Sequence, residues 1–416
     1  MRILFWSWPR LEYSGSRIPV GSSANIFAGG SLHSYQQVLR HATTNTGNYI
    51  HWEAPSRFIE CDFEQSIFYQ PKSPVTEGDW ADLIDTANKN FDAVSISFAN
   101  SLRPDADMRG QAKFIEGLET KVLLYGLGLQ EWFDPTSNSI KSGTRSFLEV
   151  ADKKASLWAV RGKQTSDWLS HYGVKTAIPT GCPSLYAFPR NILSLAKKYQ
   201  RLKIAPELTK HQKVLTAGHL QRGRIVDEEK SWRVHALNDL FKDCENVTYV
   251  TQGELRAYHG LKSHQFVYNP ATGELDAQSI NSYFENDLQF KANFHRYLMF
   301  FDPGMWRASA AHYDLYAGDR LHGGIAAMQA GVPAILFYDD DRVKEIAELF
   351  MIPNYPMKNV AGNSIDEVIS DALSNFEMEA FTENYLGRLS EFRDISDERG
   401  VSLQSHFTET LKIYGR

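Results

Sequence analysis

Short apolar runs alternate along this chain with loops and helical patterns. That alternation constrains the fold more than any other feature. MRILFW (1–6), FDAVSISFA (91–99), KVLLYGLGLQ (121–130) and the start of LWAVRGKQTSDWLSHYGV (157–174) are four such runs, and KTAIPTGCPSL (175–185) adds a short strand and turn. Apolar, β-branched runs of this length that alternate with amphipathic patterns indicate βα units around a mostly parallel sheet. The rhythm breaks over residues 186–212, a basic stretch with two prolines that reads as a connection between domains. It then resumes with KVLTAG (213–218), NVTYVTQ (246–252), YLMFFD (297–302) and PAILFY (333–338), separated by helical patterns such as SWRVHALNDLFKDC (231–244). The expectation is an α/β chain of two Rossmann-like βα domains facing a cleft. The first spans 1–190, a linker 191–212, the second 213–380, and helices over 381–416 pack back on the first domain. A chain of 416 residues fits two cores better than one.

In open α/β sheets, ligands bind beyond the carboxyl ends of the strands. The loops of interest are therefore 126–131, 161–163, 218–224, 252–254, 302–307 and 318–324. The most informative is the last, within GDRLHGGIAAMQAGVPAILF (318–337). Gly331 suits the residue that closes a short helix, and Pro333 cannot continue one. Arg320 and His322 then fall at a helix N-terminus, where unpaired N–H groups favour anions. Arg320 can grip a carboxylate or phosphate bidentately, and His322 can exchange a proton near neutral pH. The plainer alternative pairs Arg320 with Asp319 or Asp314 and leaves His322 as a cap. HLQRGR (219–224) follows another strand, so Arg222 and Arg224 could form a second wall, or belong to a solvated loop neutralised by Asp227, Glu228 and Glu229. Asp339 or Asp340 can cap the next helix. Asp302 is either an acid–base group or a turn former.

Several classes are excluded. A net charge of −6 provides no basic field for nucleic acid. The chain lacks GxGxxG, a Walker loop, GxSxG and HExxH, and no His/Cys/Asp cluster has metal spacing. Cys61, Cys182 and Cys244 are scattered and odd in number, which fits a reducing, cytoplasmic compartment. No run approaches the ~20 apolar residues of a membrane span; peripheral association at the inner membrane face is left open. The Gly/Ser-rich stretch 14–31 suggests a long functional loop.

Taken in order, NTGN (45–48), YGLGLQ (125–130), AVRGKQT (159–165), PTGCPSL (179–185), YVTQGE (249–254), GDRLHGGIAAMQAGVPAILF and the charged helix after it resemble the polysaccharide pyruvyl transferase family. The resemblance implies a two-domain fold similar to GT-B glycosyltransferases. It also implies transfer of pyruvate from phosphoenolpyruvate to a glycan or lipid-linked sugar as a cyclic ketal, with no cofactor and no metal. Arg320 would hold an anionic group of this donor. His322 would donate a proton or stabilise phosphate, and Gly323 would let the ligand approach the backbone. Arg222 and Arg224 would add charge, an assignment made from position alone. Asn45, Gly47, Gln130 and Arg161 would lie on the acceptor side or the cleft, although an arginine at 161 could equally brace the domain interface. The chain departs from the family at Asn48, where members often carry an acid, and in its Gly/Ser-rich start. Both departures fall on the acceptor side. A GT-B glycosyltransferase using a nucleotide sugar, or a non-catalytic glycan-binding protein, are the alternative readings.

Overall fold

The structure, a computed structural model, describes residues 1–6, 16–20, 33–34, 45–70, 77–137, 140–221, 225, 228–257 and 267–415. Two sheets organise them. The first contains β1 (Ile3–Trp6), β2 (Ser16–Pro19), β4 (Ile67–Gln70), β5 (Ala93–Ser97), β6 (Lys121–Leu127), β7 (Ala155–Val160) and β8 (Ala177–Pro179), in the order β2-β4-β1-β5-β6-β7-β8. All its pairings are parallel except β2 with β4. The strands β5 and β6 are buried almost throughout, as strands covered by helices on both faces must be.

The second sheet contains β3 (His33–Ser34), β9 (Lys213–Thr216), β10 (Asn246–Val250), β11 (Val267–Asn269), β12 (Glu274–Leu275), β13 (Arg296–Leu298), β14 (Leu315–Gly318), β15 (Ala334–Tyr338) and β16 (Asn354–Pro356). Its order is β16-β15-β14-β9-β10-β13-β12-β11-β3. From β16 to β13 the pairs are parallel; β12, β11 and β3 extend that edge antiparallel.

These orders fix where ligands can enter. In the second sheet the chain starts at β9, moves through β10 and β13, then returns to β14 on the other side of β9. In the first it starts at β1, moves to β4, then returns to β5. The switch points, where neighbouring strands send their connections to opposite faces, lie between β9 and β14 and between β1 and β5. A crevice opens beyond the strand ends at such points.

The segment 191–212, expected to be a linker, is mostly the helix Pro189–Ile204 followed by a 3₁₀ turn, Pro206–His211. Ile192, Leu193, Leu195, Ala196, Tyr199 and Leu202 recur at helical spacing and are buried, while the lysines and arginines that gave the stretch its basic character face outward. The C-terminal helices Met378–Glu398 and Ser405–Ile413 run back over the first domain: Phe392 stacks on Tyr186 at 4.2 Å, and Gln404 Nε2 donates to the Ser56 and Ile59 carbonyls. The stretch 14–31 lies mostly outside the described residues; β2 is the part of it that is described. Among the described residues no helix is long and apolar enough to cross a membrane.

The domains are tied by buried polar contacts. The Arg307 guanidinium donates from Nη1 and Nη2 to Glu53 at 2.6 and 2.9 Å. Gln329 Nε2 donates to Ser184 O at 2.7 Å, and Gln164 N donates to Glu345 Oε1 at 2.7 Å. Burial raises the Glu53 pKa, but Arg307 and then Arg57 outweigh it and hold the carboxyl below its ordinary range.

Candidate active site

At the β9/β14 switch point the adjacent strands end in Ala217-Gly218-His219 and Asp319-Arg320. Asp319 N donates to Ala217 O at 3.1 Å, which continues the pairing one step past the strands. The two following side chains therefore meet. His219 Nδ1 lies 2.8 Å from Asp319 Oδ2, with the carboxylate almost fully buried. Burial pushes the Asp319 pKa up, but His219, Arg320 and Arg233 pull it further down, so the carboxylate stays ionised. It fixes His219 in the tautomer with hydrogen on Nδ1. Among the described residues Nε2 has no hydrogen-bond partner, and the ring lines the cleft.

The helix Leu321–Gln329 begins directly after Arg320, and Gly331, at φ +77°, lies just beyond its end in the left-handed conformation that favours glycine. Arg320 does not pair with Asp319 or Asp314. Its Nε donates to Gly218 O at 2.9 Å, and Nη2 lies 2.9 Å from Glu254 Oε1. That second contact is off-axis for a hydrogen bond, since Glu254 Oε1 has no hydrogen-bond partner by geometry; it is an ionic contact. Burial lowers the Arg320 pKa, and Glu254 and Asp319 more than reverse this. Tyr249 Oη also donates to Gly218 O, at 2.8 Å, and accepts from Gly218 N. Arg320 thus holds the His219 loop in place as well as facing the cleft.

The cleft, of ≈ 100 Å³, is walled by Arg320, His322 and His219 from the second domain and Arg161 from the first. Arg342 adds a third guanidinium, tied to Asp340 at Nε (3.2 Å) and Nη2. Arg161 is the least committed: Nε donates to Gly126 O at 3.1 Å, and its Nη groups have no hydrogen-bond partner among the described residues. Its burial lowers the pKa to about 10, so it remains charged at neutral pH. His322 behaves differently from His219. Burial, then Arg161 and Arg342, push its pKa down to about 3, so it is neutral at physiological pH. Its Nε2 is 4.0 Å from Cys182 Sγ.

The NTGN loop enters from the first domain. Asn45 and Asn48 line the cleft, and Thr46 N donates to Gln252 O at 3.0 Å. Gly47 is buried against Gln252 Oε1, where a side chain would collide. Gln252 is 2% exposed and its Nε2 has no partner, although the residue lines the cleft. A buried amide left open in a ligand-sized crevice is a donor awaiting an acceptor. Gly323 is buried beside Tyr316 and Gln252 and does not line the cleft. Gln130 is also away from it, near Arg103 at 3.5 Å. Arg222 and Arg224 lie outside the described residues. Asp340 caps the helix Asp341–Leu349, Asp339 pairs with Arg233, and Asp302 caps the helix Pro303–Ala310 through Met305 N. Among the described residues no group of His, Cys, Asp or Glu is arranged to hold a metal ion.

Sequence reasoning passed over His219, Asp319 and Gln252 as site groups. His219 opens a strand-end loop and Gln252 lies two residues past β10, which was signal enough to raise both. Arg342 was hidden among acids that cap a helix.

Two Rossmann-like domains with a cation-lined crevice at a switch point define a two-domain α/β protein. The chain belongs to the polysaccharide pyruvyl transferase family, whose match covers residues 45–341, and is a transferase acting on polysaccharides. No curated protein matches the chain with significance. Among solved structures it is similar to Anabaena Alr3699/HepE in complex with UDP, at 13% identity over 94% of this chain and 100% of that one, with a TM-score of 0.38. It is also similar to the trehalose-6-phosphate synthase OtsA, at 10% identity over 99% of each chain, with a TM-score of 0.46. A third is UDP-GlcNAc 2-epimerase from Neisseria meningitidis bound to UDP-GlcNAc, at 10% identity over 80% of this chain and 86% of that one, with a TM-score of 0.42.

Proposed function

We propose that the enzyme transfers the pyruvyl group of phosphoenolpyruvate to two hydroxyls of one sugar residue of a glycan or its lipid-linked precursor. The products are a cyclic ketal and inorganic phosphate. The observation that carries this reading is the convergence of Arg161, Arg320 and Arg342 on one small crevice together with two histidines, His219 set against the Asp319 carboxylate and His322 among guanidiniums. A donor with a carboxylate and a phosphate matches several fixed cations.

The steps balance as follows. A proton is delivered to the methylene carbon, which becomes the methyl group. A first sugar hydroxyl oxygen bonds to C2. The C2–O bond to phosphate breaks, and the second hydroxyl oxygen bonds to C2. Of the two hydroxyl protons released, one restores the acid and one leaves with phosphate. His219, backed by the ionised Asp319, is the group suited to hold the proton delivered to carbon. His322, kept neutral, is suited to a hydrogen bond with a donor oxygen. Gln252 Nε2 supplies a further donor. The scheme uses no metal or organic cofactor.

The test is incubation of the protein with phosphoenolpyruvate and glycans, following phosphate release and the mass gain of the glycan. Arg161→Ala and His219→Asn should each abolish most of both signals. Full activity in both variants would show that this cleft is not the site.

A further inference from the structure

The crevice continues into a second chamber on the first domain. It has a volume of ≈ 250 Å³ and lies at the other switch point, between β1 and β5. Trp6 ends β1 and Ser97 ends β5, and both line it. Asn48, His51 and Trp52 enter from the helix Asn48–Phe58 at i, i+3 and i+4, so they share one face. Gln111 and Phe114 face them from the helix Arg109–Gly117. Asn48 belongs to both chambers, and the His51 ring lies 5.1 Å from the His322 ring, so the two spaces adjoin.

Among the described residues the lining of this chamber carries no arginine, lysine, aspartate or glutamate. That lining suits a neutral occupant, in contrast to the guanidinium-lined cleft beside it. Trp6, Trp52, Phe98 and Phe114 give it broad apolar faces, and Trp6 is itself braced by Trp80 at 5.4 Å and Phe114 at 4.8 Å. Between these faces stand Asn48, Ser101 and Gln111, whose side chains have no hydrogen-bond partner among the described residues. Flat aromatic walls with polar groups at their edges suit a ring with an apolar C–H face and hydroxyls around its rim.

His51 supplies the most specific feature. Its Nδ1 lies 3.1 Å from Ser97 Oγ, while the Ser97 hydroxyl donates to His51 O at 2.7 Å. The serine proton is thus committed, so Oγ accepts from Nδ1–H and Nε2 is left as a bare lone pair. That nitrogen has no partner, in a ring that is fully buried and lines the chamber. An unpaired buried acceptor at this place calls for a hydroxyl donor.

We propose that this chamber seats a neutral hexopyranose of the acceptor, its apolar face on Trp52 and one hydroxyl donating to His51 Nε2 beside the anion cleft. The orientation of that hydroxyl towards the donor rests on the pyruvyl-transfer reading; the occupancy by a neutral sugar does not.

The experiment measures binding of the methyl pyranosides of glucose, galactose and mannose to the full chain by ligand-observed NMR, with phosphoenolpyruvate binding measured in parallel. At least one glycoside should bind the wild-type protein. Trp52→Ala should weaken it by roughly three- to tenfold, the value of one aromatic contact. Trp52→Phe should restore most of the loss, and phosphoenolpyruvate affinity should not change. Gln111→Ala, on the opposite wall, repeats the test if Trp52→Ala does not fold. Binding by no glycoside, or glycoside affinity indifferent to both variants, would overturn the assignment even where phosphoenolpyruvate binds. Glycoside binding that responds as expected in a protein that ignores phosphoenolpyruvate would uphold this chamber and remove the donor reading instead.

Discussion

His219 and His322 stand in one cleft, yet their surroundings assign them different work. His219 has a carboxylate behind it and His322 has cations in front of it. Asp319→Asn should therefore lower kcat by about 100-fold or more while changing the KM for phosphoenolpyruvate far less, because it removes support for the proton carrier and not a donor contact. Steady-state kinetics separate the two parameters. His322 also leaves a mark on stability. Its folded-state pKa of about 3 lies below the unfolded value of 6.5, so between those pH values the unfolded chain binds the extra proton. Stability must then fall as pH drops through that window, by about 1.4 kcal/mol per pH unit for one such imidazole. Urea midpoints compared at pH 7 and pH 5 should differ less in His322→Gln than in the wild type. The sequence exposed Arg320 and His322 because they stand beside paired glycines after a strand. It did not expose the partner of Arg320, since Glu254 is 66 positions away and comes near only through the order of β10, β9 and β14. His51 and Trp52 were illegible for another reason: at helical spacing they look like core residues, and His51 is indeed buried.

The helix Asn48–Phe58 does double service, lining both chambers and carrying Glu53 into a buried contact with Arg307 on the helix Pro303–Ala310. Glu53→Ala would strand the Arg307 charge in the interface. It should cost about 3–5 kcal/mol, while a paired replacement of both residues by Leu and Met should cost less. Denaturant unfolding of the single and double variants measures this. The strands β1, β5, β6, β7, β9, β10, β13 and β15 could be read from their apolar runs, since burial on two faces leaves little room for polar residues. The antiparallel edge formed by β12, β11 and β3 could not, because strands of two or three residues carry no periodicity. The helical conformation of Pro189–Ile204 went unread because charge and proline content outweighed its apolar spacing.

Across the whole molecule, two switch points face each other over one crevice. Among the described residues the second-domain side is cationic and the first-domain side is uncharged and aromatic, with Arg161 as the one first-domain guanidinium lining the cationic side. This division follows from strand order, which places His219 beside Asp319 and Trp6 beside Ser97 without any local sequence signal. In the proposed function it also separates donor from acceptor, so donor binding should be measurable without any sugar. Calorimetric titration of the full chain with phosphoenolpyruvate and, separately, with uridine diphosphate tests that division most directly. The account predicts that phosphoenolpyruvate binds more tightly than uridine diphosphate and that Arg161→Ala weakens it on the order of tenfold or more. Tighter binding of uridine diphosphate, or phosphoenolpyruvate affinity untouched by Arg161→Ala, would contradict it.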